Sequence, residues 1–137
     1  MKNQQKSSKA LHISLWIAQV ILAAMFLMAG LMKLTQPIEE LAKMLPWALD
    51  VPEALVRFIG ISETLGGLGL ILPALLRIKP NFTPLAALGI ATVMVLATIF
   101  HITRGETAMI GMPLFLALLS AFIAWGRFKK APITARA

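Results

Sequence analysis

The stretch EALVRFIGISETLGGLGLILPALL, residues 53–76, decides the fold because it is long enough to cross a bilayer yet carries Arg57 and Glu63 inside it. A membrane-spanning helix needs about 20 mostly apolar residues. An ionisable side chain at membrane depth costs roughly 2.5 to 3.5 kcal/mol on insertion scales, so it usually faces other helices and finds a partner there. The stretch therefore predicts one helix of a membrane-embedded bundle.

On a helix drawn at about 100° per residue, this stretch separates its side chains into three faces. The first is small and polar and holds Arg57, Gly60, Glu63, Thr64 and Gly67. The second is apolar, as a surface facing lipid requires, and holds Phe58, Ile61, Leu65, Leu68 and Leu72. The third is a stripe of small residues, of the kind that lets helices pack closely in lipid, and holds Ser62, Gly66, Gly69 and Pro73. Since Pro73 has no N–H, the carbonyl oxygen of Gly69 loses its usual hydrogen-bond partner.

The composition of the whole chain agrees with a membrane location. Of its 137 residues, 58% are hydrophobic and 14% are charged, which is too apolar for an ordinary soluble domain. This length holds one compact domain and leaves no room for a separate soluble catalytic domain. The chain has no cysteine, which excludes disulfides, thiolate chemistry and cysteine-ligated metal or iron–sulfur centres. We therefore expect a single all-α membrane domain.

Three further apolar segments complete a predicted bundle of four antiparallel membrane-spanning helices. We expect the spans at residues 12–34, 54–76, 84–103 and 108–125, between a disordered basic tail at 1–10 and a second basic tail at 127–137. The first apolar run is longer than the core of a cleaved signal peptide, which is about 7 to 15 residues, and it has no A-x-A-like site. We therefore favour an uncleaved first helix over a signal peptide.

The first and third spans each carry one stripe at helical spacing that ends in a polar residue. In the first span the stripe consists of Gln19, Ala23, Phe26, Gly30 and Lys33. In the third span it consists of Ala87, Ala91, Met94, Thr98 and His101. Both stripes are predicted to face the interior of the bundle.

The segment between the first two spans, residues 37–47, has the pattern of a short amphipathic helix. Apolar residues recur at helical spacing, and Glu39, Glu40 and Lys43 lie opposite them. Pro37 suits the first helical position, and Trp47 suits a membrane interface. We expect an interfacial helix here; the alternative is a plain connecting loop.

Lysine and arginine are distributed unevenly over the predicted connections. With a cytoplasmic N-terminus, the inner side collects nine of the thirteen basic residues and no acid, namely Lys2, Lys6, Lys9, Arg77, Lys79, Arg127, Lys129, Lys130 and Arg136. All six acids fall on the outer half. This positive-inside pattern predicts a multi-pass protein of the cytoplasmic (inner) membrane with both termini in the cytoplasm. The net charge of +7 is thus a topology signal and does not indicate a nucleic-acid partner.

Glu63 is the deepest acid in this arrangement. It lies about 9 Å along the helix from Arg57 at the helical rise, and the two are too far apart to pair on one helix. We expect Glu63 to take a partner from another helix, or else to stay protonated because burial disfavours the charged form. The candidate partners are Lys33, His101, Thr98 and Gln19.

The functional interpretation is that Glu63, Arg57 and His101 line a polar pocket able to bind a polar headgroup or pass a proton, with Lys33 and Gln19 as further candidates. The structural alternative is that Arg57 extends toward the interface while Glu63 makes one internal hydrogen bond. The two histidines fall at opposite membrane faces, which argues against a haem or zinc site within one chain. We predict no catalytic residue and no metal ligand.

Two segments resemble a known family. ILAAMFLMAGLMKL at residues 21–34 and VRFIGISETLGGLGLILP at residues 56–73 are similar to the DoxX-like family of small four-helix membrane proteins. The positions that match the family's pattern are Gly30 and Lys33 at the close of the first helix, and Arg57, Gly60, Glu63 and Pro73 in the second. The family takes its name from a subunit associated with a terminal quinol oxidase. Other members are associated with membrane redox complexes or with the assembly of other membrane proteins.

The resemblance implies a non-catalytic accessory or assembly subunit of a membrane redox system, with no intrinsic cofactor, in contact with a quinone or quinol and with other redox subunits. A rival hypothesis is a small proton-coupled transporter or permease in which Glu63 titrates, acting as a homo-oligomer because four helices offer little pathway alone. Against it, the chain has no obvious inverted repeat. An enzyme acting on a lipid would need a nucleophile and a base in reach, and the sequence offers no convincing pair.

Overall fold

The computed structural model describes residues 2–136, with side chains from Lys9 onward. The five α-helices of this part are α1 (Lys2–Thr35), α2 (Ile38–Met44), α3 (Glu53–Leu76), α4 (Phe82–Thr103) and α5 (Gly111–Trp125). Two 3₁₀ turns, Pro46–Leu49 and Thr107–Met109, and a π-helical turn, Gly126–Lys130, complete the described elements. None of these residues forms a strand.

Four segments are long and apolar enough to cross a membrane, namely Lys9–Thr35, Glu53–Leu76, Phe82–Thr103 and Thr107–Lys130. Helix α1 packs on α3, α3 on α4 and α4 on α5, and α5 with its π-helical turn returns to α1. The predicted four-helix membrane bundle is therefore confirmed. We call the end where α1 and α4 finish the Lys33 end, and the opposite end, where the chain begins and finishes, the termini end.

Glycines determine how closely α3 approaches its neighbours. A methyl group on Gly30 of α1 would lie 2.7 Å from the backbone nitrogen of Thr64 in α3. A methyl group on Gly66 would lie 2.8 Å from a side-chain carbon of Ile90 in α4. The small polar face of α3 therefore packs on α1 and the small-residue stripe on α4, as close helix packing in lipid requires. The face predicted to meet lipid is exposed along its whole length, at Phe58, Ile61, Leu65, Leu68 and Leu72.

The proline within α3 is accommodated by side chains from both neighbouring helices. The hydroxyl of Thr83 in α4 donates a hydrogen bond to the carbonyl oxygen of Gly69, at 2.9 Å, which is the acceptor that Pro73 leaves without its usual partner. The amide nitrogen of Gln19 in α1 donates to the next carbonyl, that of Leu70, at 2.7 Å. Neighbouring helices thus satisfy the backbone around the proline, as they must where water is absent.

The ends of the chain differ from the two tails expected there. Helix α1 begins at Lys2, because residues 2–10 contain no proline or glycine and the helix of the first span continues through them. At the other end, residues 126–130 form the π-helical turn and Arg127 is buried in the bundle. The residues beyond it return to the connection between α3 and α4, where Arg77 donates to the carbonyl oxygen of Thr134.

Helix α2 is shorter than the segment 37–47 in which we expected it. It ends at Met44, because Pro46 disfavours the helical conformation of the residue before it. Leu41 is fully buried, whereas Glu40 and Lys43 are exposed and pair with each other. The location of α2 in a membrane interface stays a prediction.

Candidate functional site

Lys33 and Glu63 form a buried ion pair where α1 packs on α3. The Nζ of Lys33 donates a hydrogen bond to the Oε2 of Glu63 at 2.9 Å, and the two side chains are 8% and 7% exposed. The pair depends on Gly60, because a side chain at that position would collide with the Cβ of Lys33. Each charge offsets the burial of the other, so the two groups are buried as a neutral unit.

This pair has hydrogen-bonding capacity left over. An ammonium group carries three donors, and a carboxylate accepts through two oxygens. Within residues 9–136, the Oε1 of Glu63 accepts no hydrogen bond and the Nζ of Lys33 donates only the one to Oε2. Because no fully buried side-chain oxygen in that range lacks a partner, Oε1 must be reachable from an open space.

That space is a pair of cavities between α3 and α4 that meet at Glu63. The larger has a volume of about 460 Å³ and extends toward the Lys33 end. Its polar lining consists of Lys33, Ser62, Glu63 and His101, and the rest is mostly apolar. The smaller has a volume of about 340 Å³ and extends toward the termini end, past Gly66 and Gly89. Both volumes lie in the range of about 300 to 1,000 Å³ that is usual for small-molecule sites.

Both cavities open sideways, toward the surface that faces lipid. Phe58 and Leu65 of α3 and Leu96 of α4 form their outer edges and are 63%, 63% and 60% exposed. In a membrane these side chains meet the hydrocarbon chains of lipid. A molecule dissolved in the bilayer could therefore reach Glu63 without passing through water.

The connection after α2 covers the larger cavity at the Lys33 end. The ring of Trp47 packs edge-on against Phe100 of α4, with centroids 6.0 Å apart. Arg104, directly after α4, donates to the Oδ2 of Asp50 at 2.7 Å and to the Oε1 of Glu106. Its hydrogen bond holds the pKa of the Glu106 carboxyl below the ordinary value. The pair with Asp50 fastens the covering connection to the end of α4.

Arg57 has a different place from the one proposed for it. Its Nη1 donates to the carbonyl oxygens of Lys33 and Gln36, at 2.7 and 2.8 Å, and its Nη2 pairs with Glu53. It therefore closes the C-terminal end of α1, where backbone carbonyls have no helical partner. Arg57 contacts the backbone of Lys33 but does not line either cavity.

The other candidates are divided between the two ends. His101 lines the larger cavity together with Lys33 and Glu63, and its Nδ1 lies 3.4 Å from the Oε1 of Glu106. Gln19 lies toward the termini end, where its side chain bonds to α3 and to Arg127. The structure thus brings three of the five candidates together at one cavity.

Sequence reasoning missed a buried charge outside the Lys33–Glu63 pair, namely Arg127. The residue is 2% exposed, and its guanidinium donates to the Oε1 of Gln19 at 2.6 Å, to the carbonyl oxygen of Ala131 at 2.9 Å and to His12. It also lies over the ring of Trp16, 5.6 Å from the centroid. The signal was present in the sequence, because position 127 continues the helical spacing of the buried residues Ser120, Ile123 and Ala124.

The comparison with known families bears on the region that carries this geometry. The sequence model of a family described as DoxX-like matches residues 17–123, from α1 into α5. The chain belongs to the DoxX-like family. Neither a curated protein nor a solved structure gave a match to this DoxX-like protein.

The matched region of this DoxX-like protein contains the whole cavity site. Lys33, Glu63 and His101 all lie within residues 17–123. His12 and Arg127, which meet at the termini end, lie outside it. The arrangement at the cavity offers an uncovered hydrogen-bond acceptor and donor beside an apolar wall, and this can bind a molecule that has one polar end.

Proposed function

We propose that this DoxX-like protein is a non-catalytic accessory or assembly subunit of a quinol-linked membrane redox system. In this role it holds a quinol between α3 and α4, close to the partner subunits that oxidise it. The chain supplies a binding surface and no electron carrier. In this role electron transfer belongs to the partners, and the sequence contains no cysteine and no tyrosine.

One observation carries the proposal: a buried ion pair with unused hydrogen-bonding groups lies at the base of a cavity that opens to lipid. A pair needed only to join two helices would be replaced by apolar residues at little cost, since such replacements are often neutral or stabilising. The cavity beside Lys33 and Glu63 supports a role for the pair in binding. A quinol dissolves in the hydrocarbon core and carries hydroxyl groups on a ring with an apolar chain, so it matches both parts of the site.

The proposal includes a location. The protein spans the cytoplasmic membrane with both termini in the cytoplasm, and the Lys33 end faces outward. The distribution of basic residues supports this orientation, because the connection at 77–84 and the C-terminal residues are basic while the connections at the Lys33 end carry the acids.

The test is affinity purification of the tagged chain from its native membranes in mild detergent, followed by mass spectrometry of the recovered proteins. We expect subunits of a quinol-linked redox enzyme to be enriched over a control, an unrelated four-helix membrane protein carrying the same tag. Recovery of nothing beyond copies of the chain itself would contradict the accessory role.

A second measurement separates this role from transport. The purified protein is reconstituted in vesicles with a pH gradient, and proton flux is compared between the wild type and Glu63→Gln. The proposal predicts no flux above protein-free vesicles for either protein. A pH-dependent flux that Glu63→Gln abolishes would replace the accessory role with a proton-coupled transporter.

A further inference from the structure

The depth of the Lys33–Glu63 pair restricts what can bind to it. Glu63 lies ten residues after the start of α3 at Glu53, which is about 15 Å along the helix. The hydrocarbon core of a bilayer is about 30 Å thick. Arg57, which closes the end of α1, lies only about 9 Å nearer the Lys33 end at the helical rise. A polar group that contacts Glu63 therefore lies within the hydrocarbon core, below the level of phospholipid headgroups.

The charge of the site restricts the ligand further. The ammonium and the carboxylate neutralise each other at 2.9 Å. An anionic phosphate placed beside them would gain a bond from Lys33 but would be repelled by Glu63, and it would also lose its hydration. An uncharged group avoids both costs.

The unused atoms define which uncharged group fits. The Oε1 of Glu63 needs a donor, and the Nζ of Lys33 has donors to give. A hydroxyl both donates and accepts hydrogen bonds, so one hydroxyl can donate to the Oε1 of Glu63 and accept from the Nζ of Lys33. A carbonyl could accept from Lys33 but would leave the carboxylate oxygen without a partner.

The walls of the smaller cavity indicate what kind of group is attached to the hydroxyl of the ligand. Beyond Ser62 and Glu63, the smaller cavity is lined by apolar and glycine residues of α3 and α4 and by Phe26 of α1. Its outer edge is open to lipid at Leu65. A hydrocarbon chain that extends from the polar end can therefore lie along this cavity and leave sideways into the bilayer.

From these four points we propose that the groove between α3 and α4 binds an uncharged amphipathic molecule with a hydroxyl head and a single hydrocarbon chain. The hydroxyl bridges Lys33 and Glu63, and the chain runs past Gly66 and Gly89 toward the termini end. The choice of a quinol as the natural ligand rests on the proposed function. A hydroxylated lipid with one chain has the same chemistry, and the experiment separates the two.

The experiment measures binding to the purified protein in detergent, using the fluorescence of Trp47, which lines the larger cavity. The other two tryptophans, Trp16 and Trp125, are replaced by Phe so that one signal remains. Three probes are titrated: a decyl-substituted benzoquinol, decanol and decyl phosphate. We expect the quinol to bind at least tenfold more tightly than decyl phosphate. If the hydroxyl alone is recognised, the affinity of decanol should lie between the affinities of these two probes.

Two variants test the two ends of the site against a matched control. Glu63→Gln replaces the charged acceptor of the hydroxyl by a neutral amide, which accepts a weaker hydrogen bond. Gly89→Leu adds a side chain at the smaller cavity, where a Cβ meets no atom within 4 Å. Gly111→Leu is the control, because a Cβ there is equally free and the residue lines neither cavity. We expect each of the first two variants to weaken quinol binding at least tenfold and the control to leave it unchanged.

The outcomes are decisive in both directions. Equal binding of decyl phosphate and the quinol, or quinol binding that Gly89→Leu does not alter, overturns the proposed site. Tighter binding of decanol than of the quinol supports the site and assigns it to a hydroxylated lipid. Because the titration uses the isolated protein, its failure is independent of whether redox subunits are recovered with the chain from native membranes.

Discussion

Replacing Glu63 by leucine leaves the ammonium of Lys33 buried without a carboxylate, and the consequence for stability follows from the geometry. The two side chains are 8% and 7% exposed, so water cannot hydrate the charge that is left. Removing one partner of a buried ion pair costs about 3 to 5 kcal/mol. We therefore expect Glu63→Leu and Lys33→Met each to lower the free energy of unfolding by that amount.

The double variant is expected to behave in the opposite way. With both charges replaced by apolar side chains of similar size, stability should return to that of the wild type or exceed it by about 1 to 4 kcal/mol. The four proteins are compared by reversible unfolding in mixed detergent micelles with increasing sodium dodecyl sulfate. The same double variant should no longer bind the quinol probe.

Two results would refute this reasoning. Single variants that lose less than about 1 kcal/mol would show that the pair behaves as a solvent-exposed ion pair does. A double variant that loses as much as the two single variants together would show that Lys33 and Glu63 are retained for stability. In either case ligand binding at the cavity would no longer be needed to explain why the chain has an ion pair at this position.

Three further predictions concern packing, the proline and the ion pair between Arg104 and Glu106. In the same unfolding assay, Gly30→Ala should destabilise the bundle by about 1 to 3 kcal/mol, because the added methyl group overpacks the contact with α3. Gly89→Ala should stabilise it by up to about 1 kcal/mol, because a Cβ at position 89 meets no atom within 4 Å. Thr83→Val should cost about 1 to 3 kcal/mol in that assay, because a carbonyl beside the proline loses its donor. Arg104 lowers the folded-state pKa of Glu106, so their interaction contributes its full stability above the ordinary carboxyl pKa of about 4.3. This contribution is lost as the pH falls through the lower folded-state pKa. When unfolding is followed against pH, Glu106→Gln should therefore lose less stability in acid than the wild type.

The faces of the helices could be predicted from sequence because they depend on local periodicity. Gln19 and Lys33 of α1 and Glu63 of α3 are all buried, as the helical spacing indicated, and Phe58 and Leu65 are exposed. Each of these assignments needs only the angle between successive residues on one helix. No knowledge of the neighbouring helix is required.

The contacts between helices could not be predicted in the same way. The sequence offered four partners for Glu63, and the structure pairs it with Lys33 because the contacts of Gly30 and Gly60 set the register of α1 against α3. Such contacts depend on distances of a few tenths of an ångström between residues far apart in the chain. The same limit explains why Thr83, which supplies the missing donor beside the proline, could not be identified.

Two arginines near the ends of the spans make contacts that the sequence did not indicate. The functional interpretation placed Arg57 in the pocket with Glu63 and the structural alternative directed it to the interface; its side chain turns to the carbonyl oxygens at the end of α1. Arg127 was assigned to a tail because it follows Trp125, although the helical spacing continues through it. An arginine near the end of a span is long enough to satisfy backbone groups of a neighbouring helix.

The central claim is that a hydroxylated, single-chain molecule occupies the groove beside Glu63. The most direct test is mass spectrometry of the small molecules that stay with the protein after extraction from its native membranes in mild detergent, compared between the wild type, Gly89→Leu and Gly111→Leu. We predict a quinol or another hydroxylated molecule with one hydrocarbon chain on the wild type and on Gly111→Leu, and its loss from Gly89→Leu. A wild-type protein that carries no such molecule, or the same amount on Gly89→Leu, would contradict the account.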